Sequence, residues 1–242
     1  LVDKKEDLDG LDEEAIAAAA ESARSKGHEG KWLIEIVNTT TQPVLSSLKN
    51  RALRERIFKA SIARNSGGEA DNSAIVTRLA QLRARKAQLL GFPNWAAYVM
   101  DDQMARTPES ALKLLAGLAP AAARNAKAEA DKLQALIDKQ KGGFQLEPWD
   151  WDFYSEQVRK TEHDLDEAAI RPYLEFDSVL VNGVFFAAEK LYGVTFKERH
   201  ELPVYHPDVR VFDIIDTGGK AIGLFYGDYY ARDNKQGGAW MD

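Results

Sequence analysis

Apolar residues in this chain recur mostly at steps of three and four, the spacing that gives a helix one continuous apolar face. The longest such run opens at Thr107-Pro108-Glu109, a capping hydroxyl, a proline at the first helical position and an acid in the first turn. Leu112, Leu115, Ala119, Ala122, Ala126, Leu133 and Ile137 then form a stripe that predicts a long core-facing helix, ended by Gly142-Gly143. Asp12 ahead of Glu13 and Glu14 predicts a capped helix running to about Ser25 and ending near Gly27. Further helices are predicted at about 42–49, 51–64, 72–90 and 94–100, and from Trp149 to about Asp164. Tyr173 to Tyr192 predicts another, with Phe176, Val179, Leu180, Gly183, Phe186 and Leu191 at helical spacing.

Three segments follow a different rule. Lys31 to Val37 is short, β-branched and bounded by turn formers, so it predicts a strand. Val209 to Ile215 and Ala221 to Tyr226 flank Asp216-Thr217-Gly218-Gly219-Lys220, a loop suited to a hairpin with a left-handed glycine. The fold class expected is mainly α with a small antiparallel β-sheet near the C-terminus. Glu147-Pro148 marks the expected boundary between a helical region with one short strand, 1–147, and a region of helices followed by a hairpin, 148–242.

Composition narrows the function classes. With 242 residues, 45% hydrophobic and 29% charged, the chain can bury a core and is not of the disordered class. A net charge of -6 provides no basic stripe for phosphates, which argues against a nucleic-acid partner. Zero cysteines exclude disulfides and thiolate metal sites and agree with a reducing cytoplasm. Apolar stretches such as Ala15 to Ala20 are far shorter than a membrane span, and the first residues carry no leader pattern. The expected location is the cytoplasm, or the periplasm for a mature exported form.

Candidate chemistry is sparse. His28, His163, His200 and His206 include no pair four apart around a Glu, the spacing that sets two imidazoles around zinc. His200 and His206 straddle Pro203, which excludes a regular helix between them. Asp150-Trp151-Asp152 and Asp164-Leu165-Asp166-Glu167 place carboxylates close in sequence, but neighbours on a helix point apart, so helix capping and solvated surface are the expected roles. Trp149, Trp151, Phe153 and Tyr154 are expected to anchor a helix in the core. Gly218-Gly219 and Gly237-Gly238 lack the pattern of a phosphate loop, and no Gly-x-Ser-x-Gly elbow is present. No catalytic or metal-binding residue is assigned.

Taken in order, however, the motifs make a recognisable whole. Gly30-Lys31-Trp32-Leu33, Arg51-Ala52-Leu53-Arg54-Glu55-Arg56 and Leu89-Leu90-Gly91-Phe92 are followed by Trp149-Asp150-Trp151-Asp152-Phe153-Tyr154, Arg171-Pro172-Tyr173 and Leu191-Tyr192-Gly193-Val194-Thr195-Phe196. His206-Pro207-Asp208-Val209, Gly223-Leu224-Phe225-Tyr226-Gly227-Asp228-Tyr229-Tyr230-Ala231-Arg232 and Gly238-Ala239-Trp240-Met241 complete the series. Across essentially its whole length the chain resembles the region just upstream of the zinc motif in thimet-oligopeptidase-type metallopeptidases, in their peptidyl-dipeptidase branch.

The resemblance implies a mostly helical, two-lobed zinc peptidase with a deep channel that removes dipeptides from the C-termini of oligopeptides. It also implies that zinc and the general base of a His-Glu-Phe-Gly-His helix come from residues absent from this sequence, so no zinc is expected on this chain. Leu1 and Asp242 are accordingly expected to be cut ends, and the chain is expected to be inactive alone. What it would contribute is substrate alignment: Gly237, Gly238, Ala239 and Trp240 sit where an edge for an added peptide strand would lie. Expected partners are an oligopeptide, the missing C-terminal half of the same protein, and further copies of the chain through apolar surface near Phe225, Tyr226 and Tyr229. The alternative reading is a non-catalytic helical module that binds peptides or proteins.

Overall fold

The computed structural model describes residues 1–36, 42–163, 167–232, 234 and 235. It is mainly helical, with one small antiparallel sheet near the C-terminus. Two compact units divide at His163/Asp164. The turn at Glu147-Pro148 lies inside the first of them, because the segment that follows it packs back onto earlier helices.

In the first unit, helix α1 spans Glu13–Ser25 and is capped by the Asp12 carboxylate, which accepts the Ala15 N–H at 2.6 Å. Helix α2, Arg51–Ile62, is capped in the same way by Asn50, which accepts the Leu53 N–H at 3.0 Å. Between them the expected helix at 42–49 is only a 3-10 turn, Pro43–Ser46. Val2, Leu8, Leu45, Leu48, Leu53 and Ile57 form the core here. Gly10 allows its closure: its φ is +100°, and a Cβ there would stand 2.0 Å from the Ser47 carbonyl oxygen.

The strand expected at Lys31–Val37 is a correction. Trp32 exchanges backbone hydrogen bonds with Val2 at 2.7 and 3.0 Å as an isolated bridge, and 33–36 are not in a strand. β-branched composition suits a pleated surface but needs a partner ladder, and the Leu33 N–H goes instead to the Ala19 carbonyl of α1 at 2.8 Å. Val37 lies outside the described residues.

Helices α3 (Ser73–Leu89), α4 (Trp95–Met100) and α5 (Pro108–Lys139) follow. Thr107 caps α5 as expected, accepting the Ser110 N–H at 3.2 Å. The reading of α5 as core-facing throughout needs correcting. Leu133 and Ile137 are buried beside Tyr154, whereas Leu112 and Leu115 are 63% and 60% exposed. Helix α6, Trp151–His163, covers the C-terminal half of α5 through Leu133 and Ile137. Among the described residues nothing comparable covers the N-terminal half, where the apolar stripe is present without a partner.

The second unit carries short helices α7 (Glu167–Ile170), α8 (Phe176–Ser178) and α9 (Phe186–Tyr192). Val179–Phe185 between α8 and α9 is π-helical, with the Phe186 N–H reaching the Val181 carbonyl five residues back. The single helix expected over Tyr173–Tyr192 is thus interrupted, and Leu180 and Phe185 are buried while Val179, Phe186 and Leu191 are exposed. Strands β1 (Thr195–Glu198), β2 (Arg210–Ile215) and β3 (Ala221–Gly227) pair antiparallel in that order. The expected hairpin is β2–β3, with Gly219 at φ +81° in its turn, and β1 is an addition to it. Phe185 stacks on Phe196 at 3.9 Å and meets Phe212 edge-on at 5.0 Å, which fixes the π-helical segment to the sheet.

Candidate functional site

The four residues expected to form a peptide-binding edge, Gly237, Gly238, Ala239 and Trp240, lie outside the described residues. The structure does describe what leads to them, the outer strand β3 and the loop that leaves it. Along β3, Phe225 turns into the aromatic core while Ile222, Leu224 and Tyr226 are exposed, the alternation of a sheet with one covered face. Among the described residues only β2 pairs with β3, and none of them pairs with its other edge.

The chain leaves β3 through Gly227, which is tightly enclosed: a Cβ there would meet the Tyr229 ring at 2.4 Å. Asp228 comes next and gathers three side chains. Arg232 donates from Nη1 and Nη2 to its two carboxylate oxygens at 2.6 and 2.7 Å. The Tyr205 hydroxyl donates to Oδ2 at 2.9 Å, and Lys235 Nζ stands 2.9 Å from Oδ1. Lys235 also donates to the carbonyls of Asp228 and Tyr230, at 2.9 and 2.7 Å. The Arg232 guanidinium, helped by Lys235 and Tyr205, holds the Asp228 carboxyl well below the usual carboxylate range, and Asp228 in turn raises the Tyr205 phenol.

A second ion network braces the sheet from behind. Arg210 on β2 donates Nε and Nη2 to the Glu198 carboxylate on β1 at 2.7 and 2.8 Å, and Nη1 to Asp177. That fork lowers the Glu198 carboxyl and raises the Arg210 guanidinium still further. Tyr229, just after Asp228, packs on Phe176 at 4.5 Å.

The remaining sequence candidates separate. Trp149, Trp151 and Phe153 are half-buried and Tyr154 is buried, so the aromatic cluster does anchor α6. Asp150 does cap, accepting the Glu147 N–H at 3.2 Å, but it is completely buried rather than solvated: Arg54 Nη2 and Arg51 Nη2 donate to it at 2.8 Å each. Asp152 is half-buried, and burial raises its carboxyl pKa. Asp164, Leu165 and Asp166 lie outside the described residues. His206 accepts the Asp208 N–H at its Nδ1 at 3.3 Å in a local turn. Among the described residues no group of three His, Asp or Glu side chains comes together that could hold a metal ion, so the donor set described here does not fit a zinc site. No helix among them is long and apolar enough to cross a membrane.

Comparison with known proteins fits this architecture. The profile of peptidase family M3 matches residues 44–242, most of the chain. The chain belongs to peptidase family M3. Within M3 it is similar to the dipeptidyl carboxypeptidase of Escherichia coli, 52% identical over 97% of this chain and 34% of that protein. It is also similar to the dipeptidyl carboxypeptidase of Salmonella typhimurium, 49% identical over 99% of this chain and 35% of that protein, and to the oligopeptidase A of Escherichia coli, 38% identical over 100% and 36%. The chain therefore spans about a third of the length of these M3 relatives.

The Asp228 cluster is the part of this M3 chain that sequence reading left without a role. Its signals were present in the sequence: an acid and a base four apart, Asp228 and Arg232, followed by Lys235. Tyr205 comes from 23 residues upstream, and nothing in the local pattern points to it.

Proposed function

We propose that this chain is part of a zinc metallopeptidase that releases dipeptides from the C-termini of oligopeptides, and that its own contribution is to align the substrate. The observation that carries the reading is the 52% identity to a dipeptidyl carboxypeptidase across 97% of the chain. On this proposal residues outside this sequence would hold the zinc, which would supply Lewis-acid polarisation of the scissile carbonyl and an activated water, and the chain alone is inactive. The protein works in the cytoplasm, with an oligopeptide as substrate and the remainder of the peptidase as its structural partner.

Alignment falls to Gly237, Gly238, Ala239 and Trp240. Small residues allow a peptide backbone to approach closely, and main-chain hydrogen bonds to an added strand are indifferent to side-chain sequence. The outer edge of β3 a few residues upstream, with which no described residue pairs, supports this reading. The test is Ala239→Pro in the full-length peptidase, which removes a backbone donor. KM should rise or turnover disappear in a correctly folded protein; unchanged kinetics would sink the edge.

A second reading is favoured by the bare apolar stripe of Leu112 and Leu115: a non-catalytic helical module that binds peptides or proteins. Metal analysis and a dipeptide-release assay on the full-length protein separate the two. Stoichiometric zinc with release of C-terminal dipeptides supports the peptidase, and neither supports the module.

A further inference from the structure

We propose that the cavity between the end of α2 and the start of α6 binds a small zwitterion, a free dipeptide or amino acid, with its ammonium on Asp152 and its carboxylate on Arg64. The site is read from the first unit alone and stands whether or not the chain aligns substrate.

The cavity measures about 730 Å³, within the range of about 300–1000 Å³ that small-molecule sites occupy. All of its lining residues are among the described ones and belong to one unit. Leu45, Phe58 and Trp151 supply apolar wall, and Asp152 and Arg64 are its two charged members.

The protein neutralises neither charge. Asp152 is half-buried, yet among the described residues no hydrogen bond or ion pair reaches its carboxylate, and burial raises its pKa. Asp150, two positions earlier, shows the contrast, since Arg51 and Arg54 both meet it at 2.8 Å. A desolvated acid without a counter-charge costs stability, and one that lines a cavity marks a place that a cation completes.

Arg64 is held without being neutralised. Its Nε donates to the Ser61 carbonyl at 3.1 Å, Nη1 to the Ile36 carbonyl at 3.3 Å and Nη2 to the Ser61 hydroxyl at 3.5 Å. These neutral acceptors fix the guanidinium at the wall, and no carboxylate among the described residues pairs with it, Asp152 included. A guanidinium has five N–H donors, so donors remain for an incoming carboxylate. Opposite charges without partners on one partly apolar cavity match the two ends of a zwitterion; a lone cation or a lone anion would satisfy only one of them.

The experiment titrates the full-length peptidase with alanyl-leucine and, in parallel, with leucine, following tryptophan fluorescence against a Trp151→Phe control. Saturable binding of either, with a signal that the control lacks, supports the site, and the tighter of the two tells dipeptide from amino acid. Asp152→Asn removes an unpaired charge and so keeps the fold; it should weaken binding roughly tenfold or more, and Arg64→Gln should do the same. N-acetylation of the dipeptide should cost the wild type a similar factor and Asp152→Asn nothing further, and the C-terminal amide should behave in the same way with Arg64→Gln. Binding that neither substitution moves, an amide that binds as well as the acid, or no binding by the wild type overturns the proposal. If Arg64→Gln does not fold, the acid and amide compared on the wild type decide the carboxylate end.

Discussion

Arg54 and Asp150 meet at 2.8 Å with almost no solvent access to either, 1% for the Arg54 side chain and none for Asp150. Arg54 also donates Nη1 to the carbonyls of Leu48 and Lys49 and Nε to that of Trp149, so its charge is surrounded by acceptors. Removing the acid alone leaves a buried cation without its counter-charge, which is worse than never having had the pair. Asp150→Ala should therefore destabilise the first unit by about 3–5 kcal/mol, read as a shift in the denaturation midpoint.

The two halves of α5 should respond oppositely to truncation. Ile137→Ala empties a fully buried site and should cost about 2–5 kcal/mol, whereas Leu112→Ala, at an exposed position, should stay within about 0.5 kcal/mol. Urea denaturation of the 242-residue chain measures both. An equal cost at the two positions would mean that Leu112 is buried in solution, by another copy or otherwise.

Acid should loosen the second unit. The Asp228 and Glu198 carboxyls are held below their ordinary values by Arg232 and Arg210, so each adds stability that is complete above the unfolded carboxylate pKa. That contribution is lost as pH falls through the folded pKa. Between about pH 5 and pH 3 the melting temperature should fall, and the gap between wild type and Asp228→Asn should narrow over the same interval. A gap that stays constant with pH would show that the Asp228 charge contributes nothing.

Asp152 carries the opposite sign. Burial raises its carboxyl, so the ionised form is penalised in the folded state and stability decreases as pH rises through the shifted value. Asp152→Asn removes that penalty and should stabilise at pH 7 by on the order of 0.5 kcal/mol, a gain that disappears below the unfolded carboxylate pKa. Calorimetry at pH 7 and pH 3 checks both the sign and its disappearance.

Features fixed within a few residues were legible in the sequence. Asp12 and Thr107 announced their helices because a cap is a contact over three positions, and Gly219 announced the hairpin because its turn needs a left-handed residue. Long-range features were not. Nothing near Asp150 signals that Arg54, 96 residues earlier, will neutralise it, so a solvated capping acid and one that is also a buried counter-ion look alike. Periodicity reported that α5 has an apolar face but not what covers it. Strand β1 was missed because four residues after a helix-ending Gly193 carry little pattern of their own.

The π-helical turn at Val179–Phe185 bears on how this stretch of gene tolerates change in length. Leu180 and Phe185 are both buried although they are five positions apart, which in a regular α-helix of 3.6 residues per turn would set them about 140° apart around the axis. The wider turn absorbs the mismatch, as a single added codon in an otherwise ordinary helix would require. Removing one residue between them would leave a spacing of four, about 40° apart, so a regular α-helix would keep both on one face. Loss of one residue should therefore disturb this turn less than it would a regular helix, where it rotates everything downstream by about 100°.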